Sequence, residues 1–361
     1  MSYLTFSSSA ISTPILLLAG LLVGDALAAP APSFIEGDPL DGGEILLLGT
    51  GFGEKTQAAP IFFDTQGKVW INGQLSEPYA GVPDGTPINS VPGKPWNSGG
   101  EGDLVIADQD TFPVYKGTFG PNAKQNAWIG EPQGFPDPAL GEVTELYVRW
   151  YWKATFDPDG SGGSNKFIRI WDTPGGNDIG VRISWTNMHL TYDNGGPSWS
   201  HTSPSVNQWH LMEIYVQTTP NPSIQAYVDG VLQHSISNFS PDAGFQGLHP
   251  RLWGIDGSAN GQGDPDWSGE TVWLADYFAD STRARVEIGD APIWSDVVVR
   301  EPQIPIEWSN TEIRFTVYEG RLAPLGTRYV YVVDKDGNVN ELGIPLDGSM
   351  LPGPPALLTV N

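Results

Sequence analysis

The sequence predicts an all-β protein built around a jelly-roll β-sandwich, and three observations predict it. Its 44 glycines and 32 prolines cluster between short apolar runs rather than inside them, which is the punctuation of strands and turns. Those runs have strand length and alternate in character along the chain. No apolar spacing of the i, i+3, i+4, i+7 type follows the N-terminus, so helices are not expected. Aromatic residues make up 11% of the 361, enough to fill a core, so the turn-rich composition does not mean disorder.

Taken in chain order, residues 1–28 read as a signal peptide. ILLLAGLLVG (15–24) is an apolar segment too short to span a bilayer, and Ala26-Leu27-Ala28 is a cleavage signature. The mature chain is therefore expected to be exported, extracellular or periplasmic, without stable membrane insertion. Cysteine is absent, so no disulfide supports the fold. The strand-like runs of the middle are 146–156, 165–173, 179–185, 188–193, 209–218, 223–236 and 271–280, separated by segments such as DPDGSGG, PGGND and DNGGPSWSHTSPS. Residues 80–130 are rich in Pro, Gly and Asn and are not assigned to strands.

Gln208-Trp209-His210 leads a strand that is followed by Ala226-Tyr227-Val228-Asp229-Gly230-Val231-Leu232, with Asp229-Gly230 as a hairpin turn. This W-H…V-D-G pattern resembles the concanavalin A-like lectin/glucanase superfamily, which includes laminin-G-like modules and jelly-roll polysaccharide lyases. The resemblance covers residues 66–282 and implies a concanavalin A-like sandwich. At the two ends, GGEILLLGTGFG (42–53) and WSNTEIRFTV…YVYVVDKDGN (308–338) are similar to the opening and closing halves of an IPT/TIG immunoglobulin-like domain. Neither half alone has enough strands for a stable sandwich. The expected organisation is thus one split domain, 29–65 and 283–361, with the lectin-like domain inserted; two separate β appendages are the alternative.

Side chains alternate across a strand. In ELYVRWYWKATF (145–156), Leu146, Val148, Trp150, Trp152 and Ala154 share one face, and Tyr147, Arg149, Tyr151 and Lys153 the other. The same logic sets Phe167, Arg169 and Trp171 against Ile168 and Ile170, Arg182 and Ser184 against Val181, Ile183 and Trp185, and His189 against Leu190. It also sets Glu213, Tyr215 and Gln217 against Ile214 and Val216, with Gln225 and Tyr227 completing the set. Joined in one groove, these residues form a face of rings and guanidiniums suited to a polysaccharide, whose sugar rings carry apolar C–H patches and hydroxyls. The candidate ligand-binding residues are Tyr147, Arg149, Tyr151, Lys153, Arg169, Trp171, Arg182, His189, Glu213, Tyr215 and Tyr227. The competing reading of these rings is a second core layer.

A glycoside hydrolase needs two carboxylates flanking the scissile bond, and Glu213 stands alone on its strand, so hydrolysis is disfavoured. A polysaccharide lyase needs cations to neutralise a uronate carboxylate and a His or Tyr to move a proton. Arg149, Arg169 and Arg182 suit the first task and His189 and Tyr151 the second, although no complete lyase signature is present. No cofactor is required by this reading. DPDGSGGSN (157–165) is a candidate structural calcium site, since Asp157, Asp159 and Ser161 match the first positions of an EF-hand-type loop, but Ile168 occupies the place of the closing glutamate, and a plain acidic Gly-rich turn is the alternative. The net charge of −24 repels phosphate backbones and argues against a nucleic-acid partner. Three functions follow in order: a secreted polysaccharide-binding protein, a lyase of an acidic glycan, and a structural or adhesive surface protein. The sequence sets no oligomeric state.

Overall fold

The computed structural model describes residues 29–96, 104–109, 112–120, 126–135, 143–158, 165–172, 181–192, 195–200, 203–237, 239–241, 244–256, 267–323 and 326–349. The signal-peptide reading of residues 1–28 lies outside these. Among the described residues there are strands and a few single-turn 3-10 segments, with no α-helix. The chain is a jelly-roll β-sandwich joined to a second, smaller sandwich.

The jelly roll packs a ten-stranded sheet on a six-stranded one. The larger sheet centres on Glu145–Ala154, paired with His210–Gln217 on one side and Thr271–Asp280 on the other. The smaller runs Ser198–Trp199, His189–Tyr192, Arg182–Thr186, Lys166–Trp171, His249–Asp256, Asn126–Ile129. Between the sheets lies the main core, where Trp150, Trp152, Trp185 and Trp253 are fully buried together with Val148, Ile183 and Ile214. Core-facing parity is therefore as expected on both sheets, with one exception. A bulge at Lys166/Ile168 rotates Phe167 inward beside Ile168 and Ile170, and Lys166 takes the outward position expected of Phe167. The unassigned region supplies Val105–Gln109 and Phe112–Thr118 to the large sheet and Asn126–Ile129 to the edge of the small one.

The two chain ends fold together. Glu44–Thr50 pairs with Glu312–Thr316 from Glu44↔Thr316 to Leu48↔Glu312, so a strand of the N-terminal segment is hydrogen-bonded into a sheet with the C-terminal one. That four-stranded sheet faces a second, Arg300–Pro302, Arg285–Gly289, Tyr329–Val333 and Ile344–Pro345, over a core that includes Leu47, Phe52, Ile288, Phe315 and Val332. The boundary at residue 66 needs a correction: Phe62–Asp64 already pairs with Thr271–Asp280 and belongs to the jelly roll.

The small sandwich sits against the outer face of the ten-stranded sheet. Ile304 and Tyr318 pack on Phe63, Trp70, Tyr147, Tyr215 and Phe278. A bulge between Ala275 and Phe278, with Asp276 at φ 51°, turns the Asp276 carboxylate to accept the Tyr318 hydroxyl at 3.0 Å.

Candidate functional site

The eleven candidate residues do not form one groove. The strands that carry them belong to different sheets, so their outward faces look away from the jelly roll on opposite sides.

On the ten-stranded side, Tyr147, Arg149, Tyr151, Glu213 and Tyr215 are buried, Arg149 completely. The small sandwich seals them in an ionic network. Arg149 pairs with Glu287 at 3.4 Å and donates to the Arg300 carbonyl at 2.8 Å, and the Tyr151 hydroxyl donates to that same carbonyl at 2.7 Å. Tyr147 donates to Glu213, which also pairs with Arg300 and, at 3.7 Å, with Arg285. Burial alone would raise the Glu287 carboxyl, but Arg300, Arg285 and Arg149 outweigh it and hold it at about 2. Glu301 and Asp276 lie in the same interface with fewer cations, and desolvation pushes both up, Asp276 to about 6. These arginines hold domains together and are closed to a polysaccharide. Lys153, over Trp209 and Trp273, is half-buried; Tyr227 is too, with Arg283 3.5 Å from its hydroxyl.

On the six-stranded side the outward residues line up across strands with uneven exposure: Asn126, Lys166, Thr186, Ser184 and Asp256 are buried, whereas Arg169, Trp171, His189 and Arg251 are half-buried. In one row, Asn126 stands opposite Asp256, Asp256 opposite Lys166, and Lys166 opposite Thr186. The Thr186 hydroxyl accepts the His189 N–H at 2.9 Å, closing the turn that places His189 opposite Trp199. In the next row come Leu252, Arg169, Ser184 and Thr191, and beside them Trp171 opposite Arg182. Neighbouring strands are about 4.8 Å apart, so six of them present a strip roughly 24 Å long. Asp256 lies 3.7 Å from both the Lys166 ammonium and the Arg169 guanidinium. Arg251, paired with Glu131, and Arg169 both stack on Trp171, at 4.8 and 5.7 Å. Arg182 is exposed, and Trp199 is 66% exposed. Cations thus gather on one face of a strongly acidic chain.

His189 packs against Trp199 with ring centroids 4.8 Å apart. Burial, reinforced by Lys166, lowers its pKa, so the ring is neutral at pH 7, and its Nδ1 has no hydrogen-bond partner among the described residues. Desolvation also lowers the Lys166 ammonium, against the pull of Asp256.

The sequence reading missed Lys166, Trp199, Arg251 and Asp256 on this strip. The bulge hid Lys166, and Trp199 sits in a two-residue strand inside a segment read as a turn. The Trp209-His210…Asp229-Gly230 pattern has a structural role: His210 Nδ1 meets Asp229 at 2.7 Å, and Asp229 accepts the Leu211 N–H at 2.8 Å, fixing a hairpin with both Asp229 and Gly230 at positive φ. Of the calcium candidates, Asp159 and Ser161 lie outside the described residues. Asp157 accepts the Ser203 hydroxyl at 2.7 Å, and no cluster of three metal-ligating side chains occurs among the described residues. No helix among them is long and apolar enough to cross a membrane.

No protein family profile and no curated protein matches the chain. Solved structures with a similar sandwich include a PL-14 alginate lyase from Aplysia kurodai, 9% identical with a TM-score of 0.41, covering 54% of this chain and 96% of that one. The endo-β-1,4-glucuronan lyase of Trichoderma reesei is 16% identical with a TM-score of 0.37, covering 55% and 94%. The binding domain of botulinum neurotoxin DC is 11% identical with a TM-score of 0.33, covering 50% and 42%.

Proposed function

We propose that this is an exported protein that binds an acidic polysaccharide through the outer face of the six-stranded sheet. One observation carries the reading: Arg169, Arg182 and Arg251, with Trp171 and Trp199, gather on the sheet face that the small sandwich leaves uncovered, each at least partly exposed. Guanidiniums suit uronate carboxylates, and exposed indoles suit sugar C–H faces. The small sandwich, in this reading an immunoglobulin-like module of IPT/TIG type, braces the opposite face.

Binding ranks above cleavage because of where the proton carriers lie. His189 offers a neutral imidazole on the strip, but Tyr147 and Tyr151 are buried on the other side of the jelly roll and hydrogen-bonded to Glu213 and to the Arg300 carbonyl. Affinity electrophoresis in gels containing alginate or polyglucuronate tests the reading. Retardation that weakens in Arg182→Ala and Trp199→Ala supports it, and unretarded migration in both gels overturns it. Unsaturated product absorbing in the ultraviolet, lost in His189→Ala, would make the protein a lyase instead.

A further inference from the structure

A cleft of about 700 Å³ opens where the two sandwiches meet, on the side of the jelly roll away from the cationic strip. One wall comes from the jelly roll, with Trp209, Tyr151 and the Asp229 hairpin, and the other from the small sandwich, with Trp294, Arg300 and Arg321. Neither wall alone makes a pocket; the cleft exists because the chain ends fold together over the sheet. Junctions of this size between domains are common places for ligands.

Its lining combines two indoles with polar groups and with aliphatic side chains, Val297, Val298 and Val299 on one wall and Val231 on the other. Trp209 and Trp294 are half-buried, so part of each indole faces the cleft. Arg321 is stacked among Tyr151, Trp209 and Phe112 at 4.2, 4.3 and 4.7 Å, and Arg300 lies over Trp294 at 4.6 Å. The rings bury the Arg321 Nε and Nη1, so the polar groups open to the cleft are the exposed Gln208 and Ser295. The Asp229 side chain is half-exposed and offers carboxylate oxygens. An entirely apolar occupant would strip water from these groups and leave them unpaired. A polyanion would meet Asp229 in a chain of net charge −24. A hydroxylated ring with apolar C–H faces satisfies indoles, donors and acceptor together.

We propose that this cleft is a second saccharide site, taking one or two sugar rings against Trp209 and Trp294. It lies on the opposite side of the jelly roll from the cationic strip, so the two sites can join separate glycan strands, and either can fail without the other.

The test is 19F NMR of the full chain labelled with 5-fluorotryptophan, titrated separately with cellohexaose and with alginate hexasaccharide. Resonances of Trp199, Trp209 and Trp294 are assigned through single Trp→Phe variants. Saturable shifts of Trp209 and Trp294 are expected with cellohexaose. Affinity read at those two resonances should fall about tenfold or more in Ser295→Trp, a change at an exposed position on the cleft wall. Trp294→Ala provides a second variant, and its Trp199 response should match that of the wild type. Trp209 and Trp294 unmoved by millimolar cellohexaose, or an affinity unaltered in Ser295→Trp, overturns the cleft site. A shift confined to Trp199 removes the cleft and leaves the strip; a shift confined to Trp209 and Trp294 does the reverse.

Discussion

The two outer faces of the jelly roll carry the same kinds of residue and put them to opposite uses. On the ten-stranded sheet, Arg149, Tyr147, Tyr151 and Glu213 meet Glu287, Arg285 and Arg300 of the small sandwich and disappear from solvent. On the six-stranded sheet, Arg169, Arg182, Arg251 and Trp171 stay at the surface. A guanidinium beside a ring therefore does not by itself indicate a ligand. In the first case every charge needs its counter-charge, since a buried unpaired ion costs several kcal/mol. In the second, Arg169 and Arg251 also have carboxylate partners, Asp256 and Glu131, but solvent reaches part of each pair and lowers the cost of an imperfect match.

This contrast can be broken most severely at Glu287. Glu287→Ala strands Arg149, Arg285 and Arg300 without their shared carboxylate, and urea unfolding should show a loss of about 3–5 kcal/mol. On the strip, Arg182→Ala and Trp199→Ala should shift the unfolding midpoint by no more than about 0.5 kcal/mol of stability while weakening glycan retardation. If Arg182→Ala destabilised the protein as much as Glu287→Ala, the two faces would not differ in kind.

Acid and base titrations sharpen the comparison further. Glu287, held at about 2, contributes stability that is present above about pH 4.5 and is lost as the pH falls towards 2. Asp276, raised to about 6, and Asp64, raised to about 7 by burial in the jelly-roll interior, act in the opposite sense. Their contribution is present below about pH 4 and is lost as the pH rises through 6 to 7. Stability followed by thermal melting should therefore peak at about pH 4 and fall on both sides. Asp276→Asn should flatten the alkaline side, because one of its carboxylate oxygens accepts the Tyr318 hydroxyl and the other is unpartnered among the described residues.

A smaller loss than at Glu287 is expected at the hairpin. Asp229→Ala removes the acceptor of His210 and of the Leu211 N–H, a loss of about 1 kcal/mol in urea unfolding. Although burial opposes it, the Asp229 carboxylate raises the His210 pKa, so this share of stability is present at acid pH and fades as the pH rises past the His210 pKa. The variant should lose that dependence as well.

Much of the fold was legible in the sequence because strand parity is a local property. Leu146, Val148, Trp150 and Trp152 alternate with Tyr147, Arg149, Tyr151 and Lys153, and the first set does face the core. Where the local rule failed, at Phe167, a one-residue bulge had shifted the phase. The candidate site was less legible. Alternation says which side chains share a face of one strand, but not which sheet that strand joins or what covers it. Lys166, Asp256 and Trp199 come together only through long-range pairing.

The sequence by itself determined an all-β sandwich, the inward halves of its strands, the Asp229-Gly230 hairpin and a strongly acidic chain. These follow from the spacing of apolar residues, from backbone preferences at turns and from counting charges. Only the tertiary structure decided that the N- and C-terminal segments would close over one sheet, sealing Arg149 and Tyr151 and leaving Arg182 exposed and Arg169 partly so. The physical reason is burial: the same guanidinium is a structural ion when another domain removes its solvent and stays within reach of solvent when none does.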